Sequence, residues 1–439
     1  MGNQDTAVSA SVVKVSLSYL ATINGEASLL GYWRLGEATT SSDTFTGTAG
    51  ATLQSRPGEI GATWTKQAIS SMDAVITSAG RIRRNGATGP TAGAVYYSSA
   101  VPGSADYTVE ADVYVASLLT NDLIGIAGRL DRAIANGTFY AAVYDRSSQM
   151  WTLVSVVNGT SVVLGQSTAQ PLTAGATYRL ALDMTGSTIR VLVNGVQQVS
   201  VVNAAITTAG RGGVVTGFGA ASTTVTDTTG MHLDNFTVTP PLADTMGTNN
   251  GDYLNGPTLG VPGAIVGDSN TAALFDGAND YGTVLRQISD NFSIEFWFKS
   301  TQLFGTTCTS WWQGAGLVDA EVNGSSNDFG VSLCAGKVVA GVGPSPDVSI
   351  VSPGGYGDGL WHHVVFARTR TSGALQLYVD GVSVGSATGS TVSLTSPTNI
   401  NFGRIQTGTF YFAGSLDEVA VYSTALSQAA VTAHFDAGQ

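Results

Sequence analysis

Apolar and polar residues alternate along most of the chain with a period of two. Tyr107–Val115, Ile189–Val193, Phe292–Phe298 and Leu375–Val379 are short runs rich in Val, Ile, Thr, Tyr and Phe. That is the pattern of strands with one buried face. Asn-Gly and Asp-Gly pairs punctuate the runs, at 158–159, 194–195, 255–256, 276–277 and 380–381 among others. Such pairs supply the positive φ angles of tight hairpin turns. A helical period shows best near the end, at Ser427–Ala437: Ser427 is placed as N-cap, Val431, His434 and Phe435 share one face, and Gly438 follows. Near the start, Val13, Val15, Leu17 and Tyr19 alternate with polar or charged residues, which predicts one more half-buried strand. The chain reads as all-β, built of sandwiches with short turns.

Three blocks recur in order. YTVEADVYVAS at 107–117 matches FSIEFWFKS at 292–300, the stretch 178–200 matches 361–386, and HLDNFTVT at 232–239 matches SLDEVAVY at 415–422. The offsets are 185 from Tyr107 to Phe292, 186 from Asn194 to Asp380 and 183 from Asp234 to Asp417. A near-constant offset over three blocks predicts two copies of one sandwich.

The order of these blocks, with GLWHHVVF at 359–366, LYVDG at 377–381 and AGSLDEVAVYSTALS at 413–427, resembles the laminin-G-like branch of the concanavalin A-like jelly rolls. The resemblance covers 242–439 well and 107–239 more loosely. It implies two stacked antiparallel sheets per copy. GYWRLGE at 31–37 resembles the opening strand of the same family, whose next segment is found only at Asp244–Gly256. Residues 42–53 form a second start-like segment in between. Two arrangements follow. In the favoured one, an N-terminal arm (1–29) and a first strand (30–41) precede an inserted jelly roll (42–241), and 242–439 completes the outer one; insertion at a surface loop is cheap. In the other, the sandwiches stand in series and GYWRLGE belongs to the first. The arm either pairs with its own sheet or reaches a neighbouring subunit.

Composition narrows the function. Charged residues are 11% of the 439, Gly numbers 55, and the net charge is −12. An acidic, weakly charged chain is a poor nucleic-acid binder, because phosphate neutralisation needs clustered cations. No apolar run has the length of a membrane span, and MGNQDTAVSASVV lacks the basic and apolar regions of a secretory signal. Neither nucleic acid nor membrane insertion is expected. Cys308 and Cys334 are either one disulfide or two small buried side chains.

The search for chemistry yields few candidates. His362 and His363 are adjacent on a predicted strand and point to opposite faces. No HExxH, CxxC or GxSxG motif occurs. Glycan-cleaving enzymes of this fold carry E-x-D-x-E or E-x-D-x-x-E on one strand; Glu110-Ala-Asp112 lacks the third acid and Glu295 stands alone, so no catalytic residue and no enzyme activity are expected. Asp319, Glu321 and Asp328 read as a solvated loop. The resemblance implies a structural Ca²⁺ held by a last-strand Asp, the position of Asp234 and Asp417; Asp276 and Asp280 are further candidates, and the alternative is that all four cap turns. Hard oxygen ligands suit that ion. Trp311, Trp312 and Tyr356 either stack on a sugar, whose faces are partly apolar, or fill the core beneath a loop.

Chains similar to this one, with a GYWRLGE opening and low charge, occur as minor tail proteins of bacteriophages. The resemblance thus implies a virion structural or adhesion protein at the tail or tail tip, touching other virion proteins, itself as a homo-oligomer, and a host-surface glycan or protein. A capsid decoration protein and a secreted, extracellular carbohydrate-binding (lectin-like) protein are the alternatives.

Overall fold

The strands of the computed structural model pair into two sandwiches with the same topology; residues 18–85, 93–131, 137–217, 224–324, 327–343 and 346–439 are described. In the first sandwich one sheet runs Val196–Val202, Thr188–Val193, Thr177–Thr185, Tyr107–Val115, Met231–Thr239, Ile82–Arg84, Ala74–Ile76. In the second the order is Val382–Thr388, Ala374–Val379, Trp361–Thr369, Phe292–Lys299, Ala413–Tyr422, Thr271–Asp276, Thr258–Pro262. The two orders correspond strand for strand, and the opposing seven-stranded sheets correspond likewise. The pairs are antiparallel, as short hairpin connections require. Asn158-Gly159, Asn194-Gly195 and Asp380-Gly381 hold positive φ at both positions and close the hairpins between their flanking strands.

The chain crosses between the sandwiches twice. Leu29–Trp33 bonds to Ala413–Tyr422 of the second sandwich, whereas Ser41–Asp43, a few residues on, bonds to Met231–Thr239 of the first. The return passes beside the departure: Trp33 bridges Asp244, and the Tyr32 amide donates to Asp244 Oδ1 at 2.9 Å. Each sandwich buries its own core, with Phe292, Phe296, Phe329 and Phe366 in the second and Trp64, Tyr144, Trp151 and Phe236 in the first.

Two helices close the outer face of the second sandwich. Gln428–Gly438 (α2) is capped by the Ser427 hydroxyl, which accepts from the Ala430 amide at 3.2 Å, and it buries Val431 and His434. Tyr19–Asn24 forms a second, shorter helix (α1). Tyr19 is therefore helical, not the end of a strand, because Ser18 caps the turn through the Ala21 amide at 3.3 Å; Val13, Val15 and Leu17 lie outside the described residues. Beneath the helices sits Glu295, with no exposed surface. Its carboxylate accepts from Tyr19 Oη at 3.1 Å, Tyr422 Oη at 2.6 Å, His363 Nε2 at 2.7 Å and His434 Nδ1 at 2.9 Å.

The equivalent residue of the first sandwich, Glu110, is also buried, but beneath the second sandwich. Its Oε1 accepts from the Asn255 amide at 3.1 Å and its Oε2 lies 3.2 Å from Arg179 Nη2. Nearby, Arg190 links Asp183 of its own sandwich at 2.7 Å with Asp252 of the other at 2.6 Å. Ala181 and Leu192 pack there against Leu254 and Tyr281. The two repeats thus use one strand position for the same purpose, anchoring whatever covers the sheet. Among the described residues no helix is long and apolar enough to cross a membrane.

Candidate functional site

The loop that precedes Ala315–Ala320 folds back over the outer face of the seven-stranded sheet of the second sandwich. Cys308 and Cys334 are joined in a disulfide, which staples this loop to the sheet. Its turn, Trp311–Gln313, is held by the Ser332 hydroxyl, which donates to the Trp311 carbonyl. The Trp311 indole lies directly on backbone. A Cβ on Gly341 would stand 2.3 Å from Trp311 Cε3, and one on Gly330 would stand 2.6 Å from Trp311 Cδ1. Glycine is needed at both positions so that the ring can seat.

Trp311 is consequently buried at 1% exposure and cannot offer a face to a sugar. Trp312 packs edge-on against it, with centroids 4.7 Å apart, and stays half-buried. Trp312 borders a cavity of about 210 Å³ whose other walls include Glu321, Asn323, Gly324, Asp328 and Asp347. Tyr356 lies elsewhere, its ring edge-on to His362 at 5.0 Å. The structure therefore brings Trp312 to a pocket, makes Trp311 its inner wall, and leaves Tyr356 with His362. A larger recess of about 320 Å³ on the first sandwich is mostly apolar, with Ile69, Val95, Phe139 and Val143 among its walls, and has little with which to orient a polar ligand.

Asp319, Glu321 and Asp328 are not a solvated loop. Asp319 has no exposed surface, Asp328 has 3% and Glu321 has 9%. Strand parity buries them: Asp319 sits in the strand Ala315–Ala320, whose Leu317 and Ala320 fill the core while Asp319 turns outward beneath the stapled loop. Asp319 Oδ1 accepts from the Glu321 and Gln406 amides, both at 2.9 Å. Its Oδ2 is buried with no partner. Burial first, then the nearby Glu321 and Asp328, pushes Asp319 up to about 8, and burial pushes Asp328 up to about 6. A carboxyl raised in the folded state stabilises the fold below its unfolded pKa, and that contribution fades as pH rises through the folded one. Asp319→Asn should therefore gain stability relative to the parent between pH 5 and pH 8, by about 1–3 kcal/mol. Urea unfolding at the two pH values checks this; an unchanged difference would count against a buried ionised Asp319.

The four aspartates considered for calcium separate clearly. Asp234 accepts from the Asn235 amide at 2.9 Å and lies 3.6 Å from Arg81 Nε, a competing cation. Asp276 and Asp280 close their own turn: Asp276 accepts from the Ala278 amide at 2.7 Å, and Asp280 from the Asp276 amide at 2.9 Å. Asp417 differs. Its Oδ2 accepts from the Ala264 amide at 2.7 Å, while its buried Oδ1 has no partner. Burial, then Glu418, pushes this carboxyl well up, although the nearby Arg34 works the other way. The Leu-Asp-(Asn/Glu) motif has a local cause as well. Asn235 and Glu418 both take positive φ, and both strands slip register there against the neighbouring central strand. The motif marks a β-bulge in each repeat. Among the described residues no three His, Cys, Asp or Glu side chains group closely enough to hold a metal ion alone.

The comparison with protein families agrees with the architecture of the second sandwich. Residues 275–432 match the family model Laminin_G_3, described as the concanavalin A-like lectin/glucanases superfamily. No curated protein matches the chain. Among solved structures it is similar to the carbohydrate-binding module CBM66 from Bacillus subtilis, at 18% identity over 40% of this chain and 96% of that one, with a TM-score of 0.32. It is also similar to domain 4 of AbnA, an extracellular arabinanase from Geobacillus stearothermophilus solved with arabinotriose, at 21% identity over 45% and 92%, with a TM-score of 0.34. The binding domain of Paraclostridial Mosquitocidal Protein 1 is 18% identical over 44% of this chain and 48% of that one, with a TM-score of 0.33.

Proposed function

We propose that this chain is a non-enzymatic adhesion protein of a bacteriophage particle, a minor tail or tail-tip component that contacts a host-surface glycan through the Trp312 pocket. The observation that carries the glycan contact is the pocket itself, where one half-exposed indole stands beside Glu321, Asn323, Asp328 and Asp347. An aromatic face meets the apolar face of a sugar, and carboxylates accept from its hydroxyls. The burial of Glu110 and Glu295, the two strand glutamates, favours binding over cleavage. Glu295 is sealed under α1 and α2, and Glu110 between the sandwiches, at 0% and 1% exposure. A general acid or nucleophile must reach its substrate.

The virion assignment rests on the resemblance of the GYWRLGE opening and on a weakly charged, Gly-rich composition. Other virion proteins and further copies of the chain are its expected partners. Immunogold electron microscopy on phage from the source culture tests it. Label at the tail supports the reading, and label over the head moves the protein to capsid decoration. Clean particles with protein in the medium would leave a secreted lectin-like protein, a reading that the Cys308–Cys334 disulfide favours because such bonds persist in oxidising compartments.

Calcium remains part of the proposal at one place. Asp417 would hold the ion through its unpartnered Oδ1 and so tie the last strand to the segment at Ala264; bound there, Ca²⁺ would supply a hard cation to an oxygen that has no hydrogen-bond partner. Calcium should raise the thermal midpoint of the parent protein and leave Asp417→Asn unmoved. An equal shift in both would remove the site.

A further inference from the structure

The outer face of the seven-stranded sheet is filled differently in the two repeats. In the second sandwich the Trp311 indole lies on Gly330 and Gly341, which pair with each other as the fifth pair from the hairpin turn. In the first sandwich the fifth pair of the equivalent hairpin is Ala141 and Val154. Both line the apolar recess of about 320 Å³. Chain length explains the difference. Residues 300–314 connect Phe292–Lys299 to Ala315–Ala320 and fold back over the sheet, whereas the equivalent connection in the first sandwich is only 116–122. The first repeat therefore keeps a seat for a ring but has no loop to fill it. No charged residue lines the seat, and the exposed Gly159 and Ser161 on its border leave it open to solvent.

The second sandwich carries rings without a seat. Among the described residues Phe304 and Phe410 are the only exposed aromatic side chains, at 36% and 41%. Their centroids lie 5.0 Å apart, and the adjoining Leu303 is 69% exposed. The two segments are tied together and to the sheet. Gln302 Nε2 donates to the Tyr411 carbonyl at 3.0 Å, and the Ala335 amide donates to the Phe304 carbonyl at 2.7 Å. Phe410 holds a positive φ of 54°, a conformation that bulky residues rarely adopt. Its ring is thus held out to solvent at a cost in backbone strain, a cost typical of functional positions. Paired apolar rings that are fixed and exposed mark a contact surface.

Resting on the self-association reading above, we propose that Phe304 and Phe410 of one copy enter the recess at Ala141 and Val154 of a second copy. The occupant follows from the repeat itself, because the equivalent seat is filled by an aromatic ring of this same chain. Knob and seat lie on different sandwiches, so the contact is heterologous. Each pair keeps one free knob and one free seat, and copies add head to tail into a ring or a filament. A contact anchored by two rings belongs with small, transient interfaces, below ~1,200 Å². A dissociation constant in the micromolar range is expected.

Sedimentation velocity on the full chain from about 1 to 200 µM brackets such a constant. The parent should grow beyond dimers as concentration rises. Phe304→Ser combined with Phe410→Ser removes the knob. Ser161→Arg, or independently Val154→Lys, blocks the seat. These positions are exposed or half-buried, so the variants should fold, and circular dichroism checks each. Each variant alone should associate roughly ten-fold more weakly or worse, the scale of a lost central anchor. An equimolar mixture of a knobless and a seat-blocked variant should restore dimers and stop there, since one intact knob and one intact seat remain per pair. A mixture that restores nothing overturns the knob-to-seat contact. Variants that associate like the parent overturn it too, but leave self-association standing on other surfaces. A parent that stays monomeric overturns this inference and self-association of the free chain together, and leaves the recess to a different occupant.

Discussion

Glu295→Ala should lower the stability of the second sandwich by about 3–5 kcal/mol, the range for removing one partner from a buried charged network. The carboxylate has no exposed surface and is the shared acceptor for Tyr19, His363, Tyr422 and His434. These come from α1, two strands and α2, so a single deletion leaves donors from four elements unpaired. Burial alone would push Glu295 up, but hydrogen bonds from His363 and His434 outweigh it and hold the carboxyl well below its usual range. Burial likewise works against a charged His434, yet Glu295 and Glu26 hold its pKa above the ordinary value. The signs define a window. A lowered carboxyl stabilises above its unfolded value of 4.5 and loses that as pH falls through its folded value. A raised imidazole stabilises below its unfolded value of 6.5 and loses that as pH rises through its folded value. The network should therefore contribute most between about pH 4.5 and 6.5. Denaturant unfolding of parent and variant across pH checks both points. A loss below about 1 kcal/mol, the net worth of one ordinary hydrogen bond, would contradict the network's role.

Replacing both Cys308 and Cys334 with Ser should cost about 3.5 kcal/mol, from the chain entropy of a closed loop of this size; the two cysteines are 26 residues apart. The second consequence is local. Without the staple, only the Ser332 hydroxyl and the packing of Trp311 on Gly330 and Gly341 are left to hold the turn Trp311–Gln313, which loosens it. Trp311 and Trp312 should then become more accessible to a fluorescence quencher, and ligand binding at Trp312 should fall with them. A double variant with parental stability and unchanged quenching would show that packing alone holds the loop.

Much of the architecture could be read from the residues because it is local. The hairpins at Asn158-Gly159, Asn194-Gly195 and Asp380-Gly381 need positive φ, and the dipeptides announce it. The repeat is visible because the same strand pattern recurs at nearly constant spacing, and Ser427 marks the start of α2 by a capping bond to a residue three positions on. Tyr19 was misread because alternation over a few residues does not separate a strand from a helix end; one capping serine decided it. The acids at 319, 321 and 328 were misread because exposure depends on what lies above the strand. The loop that covers them is held by a cysteine 26 residues away.

By itself, then, the sequence determined the all-β class, the turns, the final helix and the two related sandwiches. Each of these follows from periodicity or from residues a few positions apart. Tertiary structure alone decided the pairing of Cys308 with Cys334, the burial of Trp311, the pocket at Trp312 and the partners of Glu110 and Glu295. Glu110 and Glu295 occupy the same strand position, yet one anchors a neighbouring sandwich and the other two helices. Pattern tells which way a side chain leaves its sheet; what it meets there is set by elements as far as 276 residues away.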